Sequence, residues 1–166
     1  MNRQELIAIF MEKAALAAAG VVQVTDADAL TGAVSLLVHE GCTVYCPAIS
    51  ELERAAVRDL ASRVGNYGEA DVTVEEVLAG IAETGSIICA SVDGRAVQAS
   101  LLPSHHVALL PAGKIYGTLE DFFASLKVPP TNIAIITGPS RTADIELTLA
   151  IGVHGPERLD VVVASS

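Results

Sequence analysis

The chain predicts an α/β fold in which a mostly parallel sheet is covered by helices. Three observations point there. Of its 166 residues 51% are hydrophobic, yet with 3 Tyr, 3 Phe and no Trp the apolar content is aliphatic, as in strands buried on both faces. Short aliphatic runs alternate with segments whose apolar residues recur at turn spacing. The C-terminal half reads strand 107–110, helix, strand 132–136, helix, strand 159–164. Two consecutive right-handed β-α-β units of that kind require a parallel sheet with helices on its faces. The length suits a full core, and no linker or repeat interrupts it, so a single domain over 1–166 is expected.

The elements follow in order. Glu5–Ala19 carries Leu6, Ile9, Phe10 and Leu16 at helical spacing, with Gly20 as its stop. Val21–Val24 is a short strand. Thr25 can cap a helix over Ala27–His39, and Gly41 ends it. Thr43–Cys46 is a strand, and Ser50 opens a helix over Glu51–Val64. Gly65–Asp71 is a polar loop, followed by a helix over Val74–Ala82 and an apolar strand over Ser86–Ser91. Asp93-Gly94 marks a turn. Val107–Leu110 is the next strand. Thr118 and Asp121 start a helix over Leu119–Lys127 that Pro129-Pro130 stops. Asn132–Ile136 is a strand, Thr142–Ile151 a helix ended by Gly152, and Leu159–Ala164 the last strand.

Charge narrows the function classes. Twenty acidic residues against ten basic ones give a net charge of −10. Such a domain repels phosphate backbones and anionic lipid, so neither nucleic acid nor membrane is an expected partner. A small anion is not excluded, because a local Arg and free main-chain N–H groups outweigh distant, screened carboxylates. Cys42, Cys46 and Cys89 are odd in number and match no zinc or iron–sulfur spacing. A reduced compartment, the cytoplasm, is expected. Leu6–Met11 is too short and its flanks too charged for a signal peptide or a spanning helix.

The chemically pointed stretch is Thr137-Gly138-Pro139-Ser140-Arg141-Thr142, entered from an apolar strand and leading into a helix that opens with Asp144 and Glu146. Free N–H groups at a helix start beside a guanidinium hold anions. Gly138 lets backbone approach a ligand, and Arg141 offers a fork for carboxylate or phosphate. The plainer alternative is an ordinary capped turn with Arg141 paired to Asp144. Glu83, between an apolar run and Gly85, is a candidate nucleophile or base, or else a solvated helix-end carboxylate. His105 and His106 are adjacent on a strand entrance and so face opposite ways. His154 lies in a turn bracketed by Gly152 and Gly155. A metal site among Glu83, His106 and Glu146 has no spacing in its favour, and no metal is expected.

These residues match a known pattern. The run Thr137 to Glu146, followed by Gly152-Val153-His154-Gly155-Pro156, closely resembles the signature of the LUD-domain family, the lactate utilization proteins of the LutC/YkgG type. Ala82-Glu83-Thr84-Gly85 and Ser100-Leu101-Leu102-Pro103, with His106 after it, match the family's other two blocks in order and spacing. The resemblance covers at least residues 70–164. It implies a three-layer α/β/α fold like that of the NagB/RpiA/CoA-transferase superfamily. It also implies a place in a three-protein bacterial system that oxidises L-lactate to pyruvate, with iron–sulfur centres in the companion proteins and no cofactor on this chain. Two features depart from the family: many members carry a longer N-terminal extension, and Asp160 stands where a His is frequent.

The resulting expectation is a binding subunit holding a small anion through Thr137, Gly138, Ser140, Arg141, Thr142, His106, Glu146 and His154. Self-association into a homo-oligomer stays open. The alternative is a stand-alone acyl- or CoA-transferring, or sugar-phosphate-converting, enzyme. It would use Glu83, by analogy with the superfamily's glutamate before a glycine.

Overall fold

A computed structural model of the chain describes residues 1–140 and 155–165. The expected helix over 142–151, and with it Arg141, Thr142, Glu146 and His154, lies outside the described residues. The helices are α1 (Arg3–Leu16), α2 (Ala27–Leu37), α3 (Glu51–Ala56), α4 (Gln98–Leu101) and α5 (Leu119–Ser125). The strands are β1 (Gly20–Val24), β2 (Val44–Tyr45), β3 (Arg63–Val64), β4 (Val72–Glu76), β5 (Ala79–Ile81), β6 (Ser86–Ala90), β7 (His105–Pro111), β8 (Ile115–Tyr116), β9 (Ile133–Ile136) and β10 (Arg158–Ala164).

Six strands form one parallel sheet in the order β1-β10-β7-β4-β2-β3. Four others form a smaller sheet, β8-β5-β6-β9, in which β6 runs antiparallel to both of its neighbours. One face of the large sheet presents Val72, Val74, Val107, Leu109 and Val162 to α2 and α3. The other presents Ala108, Leu110, Leu159, Val161 and Val163 to α1 and to Ile87 and Cys89 of β6. Phe122 of α5 packs with Ala79, Ile81 and Ile88 on the outer face of the small sheet. The fold is therefore α/β with a mostly parallel central sheet, as expected.

Local signals explain most helix starts. Asn2, Ser50 and Thr118 each close a capping box, with Glu5, Glu53 and Asp121 reaching back. Asp26, not Thr25, caps α2.

Three expectations are corrected. The helix over Val74–Ala82 is instead β4 and β5. Val72 and Val74 alternate with Thr73 and Glu75, but all four are buried because both faces of the strand are covered. The helix begun at Glu51 stops at Ala56, and Arg63–Val64 returns as an edge strand. The run 132–136 does not join the large sheet: β9 pairs antiparallel with β6 in the small one. A short apolar run suits an antiparallel edge as well as a parallel interior. As a result the loop after β9 is not at the carboxyl ends of the large sheet. The Ser140 N–H donates to the Pro156 carbonyl at 2.8 Å, just ahead of β10, so this loop sits by the amino end of that strand.

Candidate functional site

Two of the sequence blocks meet at one corner of the small sheet. Just beyond the last paired residues of β6 and β9, Ile87 and Ile136, Ser86 meets Thr137 through their hydroxyls. The Thr84 and Ser86 hydroxyls are 2.7 Å apart, and the Ser86 and Thr137 hydroxyls 2.6 Å, giving a row of three linked oxygens. Gly85 and Gly138 hold this corner against the end of α1, both at positive φ (+69° and +72°). A Cβ on Gly85 would lie 2.2 Å from the Ala14 nitrogen, and one on Gly138 would lie 2.0 Å from the Ala17 oxygen. Only glycine permits both the conformation and the approach. An open groove of about 400 Å³ runs along the corner, lined by Leu16, Ala17, Thr137 and Pro139.

Glu83 lies on the rim of this corner and is exposed. Its carboxylate accepts the Leu119 N–H at 3.1 Å, which satisfies one free donor at the start of α5. Its own N–H donates to the Gly117 carbonyl. That placement does not favour the nucleophile reading.

His106 is elsewhere. It is fully buried (0% exposed) between the two sheets, and no contact joins it to Glu83 among the described residues. Its Nε2 lies 3.2 Å from Oε1 of Glu75. Among the described residues neither ring nitrogen makes a hydrogen bond, the Glu75 oxygen being Nε2's sole charged neighbour at that distance. The Ser100 hydroxyl donates to the same carboxylate oxygen. Cys89, on the facing β6, completes a buried group in which the donor atoms of Glu75, Cys89 and His106 lie within 4.8 Å of one another. Burial, and then the nearby Glu75 carboxylate, push the Cys89 thiol well above its usual range.

Glu75 and Cys89 also line a polar cleft of about 180 Å³ with Glu76, Arg95, Ser100 and Lys114. Its cations are matched. Arg95 forks onto both oxygens of buried Glu53, and Lys114 reaches Glu76 at 2.8 Å. Burial acts to raise the Glu76 carboxyl, but Lys114, Ser50 and Arg95 together hold the group below its ordinary value.

His105 faces the opposite side of the sheet, as adjacent strand residues must. Its Nε2 meets Asp160 at 2.7 Å, and Arg158 meets the same oxygen at 2.9 Å. Burial would raise the Asp160 carboxyl, yet these two partners hold it below the usual range. The Asp that departs from the family pattern thus has a settled structural role.

A model of the LUD domain matches residues 65–164, the stretch from just ahead of β4 to the end of β10. The chain belongs to the LUD domain family. It is 33% identical over 138 residues to lactate utilization protein C of an Exiguobacterium species, covering 75% of this chain and 57% of that one. It is 31% identical over 102 residues to lactate utilization protein C of Halalkalibacterium halodurans, covering 57% and 44%. The chain therefore spans about half the length of the curated relatives it matches. A crystal structure of a DUF162 family protein from Deinococcus radiodurans superposes with a TM-score of 0.78, covering 99% of each chain at 23% identity, and so shares the fold.

Within this LUD domain, the three motif blocks divide into an exposed hydroxyl corner and a buried histidine. Glu75, Cys89 and Ser100 had no assigned role in the sequence. They come from β4, β6 and α4, and only the packing of one sheet on the other unites them with His106. The signal available was Glu75 amid the valines of Val72–Val77, a stretch the sequence assigns in part to a helix over Val74–Ala82.

Proposed function

We propose that this LUD domain serves bacterial L-lactate utilization as a LutC-like subunit that holds a small carboxylate anion at the hydroxyl corner. The names of its relatives support the pathway. The observation that carries the site is the oxygen row of Thr84, Ser86 and Thr137 beside the pinned Gly138 backbone. Hydroxyls and main-chain N–H groups serve the hydroxyl or keto oxygen of lactate or pyruvate. Arg141, the next charged residue along the loop, supplies the bidentate partner for the carboxylate. Thr142, Glu146 and His154 complete the ligand's surroundings in this proposal. Electron transfer falls to companion proteins bearing the iron–sulfur centres, since three cysteines fall short of the four thiolates a cluster takes. The cytoplasm is the proposed compartment; among the described residues no helix is long and apolar enough to cross a membrane.

Calorimetry with L-lactate and with pyruvate tests the reading. Arg141→Ala should weaken binding by about 1.5–3 kcal/mol, the loss expected for a charged hydrogen-bond partner, or roughly 10- to 150-fold in Kd. Unchanged affinity removes Arg141 from the site, and no heat with either acid in the wild-type chain removes the site itself.

A further inference from the structure

We propose that Glu75, Cys89 and His106 form a binding site for a divalent, zinc-type metal ion between the two sheets. The donor set comes first. A carboxylate oxygen, a thiol sulfur and an imidazole nitrogen are the three ligand types that zinc takes together. Their atoms already lie within 4.8 Å of one another. The His106 Nε2 to Glu75 Oε1 separation of 3.2 Å is close to the edge of a tetrahedral zinc site, about 3.4 Å at the usual ligand distances.

The second observation is independent of the cluster's composition. His106 is wholly enclosed, and among the described residues both of its ring nitrogens lack a hydrogen-bond partner. A neutral imidazole needs one donor and one acceptor contact, and an unmet buried polar atom costs about 1–3 kcal/mol. A ligated ion satisfies one nitrogen directly. Charge agrees too. Coordination displaces the Cys89 thiol proton to solvent, and a dication between one thiolate and one carboxylate is neutral overall. That removes the main objection to burying an ion.

Ser100 orients the group: its hydroxyl donates to Glu75, as residues behind metal-bound carboxylates do. Three protein ligands leave a fourth position. Glu75, Cys89 and Ser100 all line the polar cleft, which gives the ion a route in and leaves the fourth position to water or a ligand oxygen. This inference does not rest on the anion site, whose corner shares none of these side chains.

The test uses the full chain, reduced and stripped with chelator, titrated with Co2+ as a coloured stand-in for zinc. The expected result is one Co2+ per chain, tetrahedral d–d bands and a sulfur-to-cobalt charge-transfer band. Cys89→Ser should abolish the charge-transfer band, whereas Cys42→Ser and Cys46→Ser should retain it. Ser100→Ala should weaken Co2+ binding by about 10- to 100-fold, the usual cost of losing an orienting partner. If Cys89→Ser does not fold, His106→Gln and Ser100→Ala carry the same reading through Co2+ affinity. The proposal is overturned by no stoichiometric uptake, by a charge-transfer band that survives Cys89→Ser, or by affinity indifferent to both His106→Gln and Ser100→Ala. No lactate enters the assay, so its failure leaves the anion reading standing, and failure of that reading leaves this one.

Discussion

The two faces of the large sheet are built from the same strands and end up unlike. Toward α2 and α3, β4 and β7 present Val72, Val74, Val107 and Leu109, with the His105 Nε2 at the rim bonded to Asp160. Toward the small sheet, the alternate residues of the same strands are Thr73, Glu75, His106 and Ala108. There the Thr73 hydroxyl and both His106 nitrogens are buried with no hydrogen-bond partner among the described residues. Strand alternation gives each face its own residue set at no cost to the other. One face is spent on stability and its polar groups are paired. The second accepts unmet polar atoms, which a purely structural face would replace with aliphatics.

The largest effect that sharpens this contrast is on the dry face. Leu109 is fully buried (0% exposed) among valines. Leu109→Ala should cost about 2–5 kcal/mol in urea unfolding, the range for a core leucine that leaves a cavity. A loss well under 1 kcal/mol would mean that this face is loosely packed, and the contrast would fail.

The rim of the same face comes next. Asp160 accepts from His105 and Arg158, which hold its folded-state pKa below the ordinary value despite burial. A carboxyl depressed in this way contributes stability that is fully present above about pH 4, the unfolded Asp value. It is lost as pH falls from there through the lower folded value. Asp160→Asn should therefore cost about 1–1.5 kcal/mol at pH 7, the difference between charged and neutral hydrogen bonds. The gap to wild type should narrow as unfolding is measured at progressively lower pH below 4. A gap independent of pH would show that the Asp160 charge contributes nothing to this rim.

The contrast also explains what could be read in advance. Caps at Ser50 and Thr118 act within three or four residues, so they are visible in sequence and were found. The sequence groups His106 with the 137–142 loop, whereas the structure sets it apart; the contact of blocks 82–86 and 137–140 comes from the antiparallel pairing of β6 with β9, which no local pattern announces. The helix expected over Val74–Ala82 is instead β4 and β5, because Thr73 and Glu75 alternate with Val72 and Val74 on a strand covered on both faces, and that cover is not a local property of the sequence. Glu75, Cys89 and His106 are 14 and 17 residues apart in turn along the chain, and no local rule relates such positions. Only the stacking of two sheets does.

The smallest effect carries the opposite sign and probes the second face directly. Thr73 is paired in register with His106, and its hydroxyl is enclosed with no hydrogen-bond partner among the described residues. Valine has nearly the same shape and no oxygen to desolvate. Removing an unmet polar atom recovers part of its burial penalty, so Thr73→Val should stabilise the chain by about 0.5–1 kcal/mol in the same urea measurement. Valine is also what this strand already places on its other face, at Val72 and Val74. If the substitution instead destabilises, the Thr73 oxygen is engaged in solution, and the two faces differ less in their polar accounting than their geometry states. If it stabilises, the threonine is there at the expense of stability, and its place beside His106 marks the inter-sheet side as the one held for something other than folding.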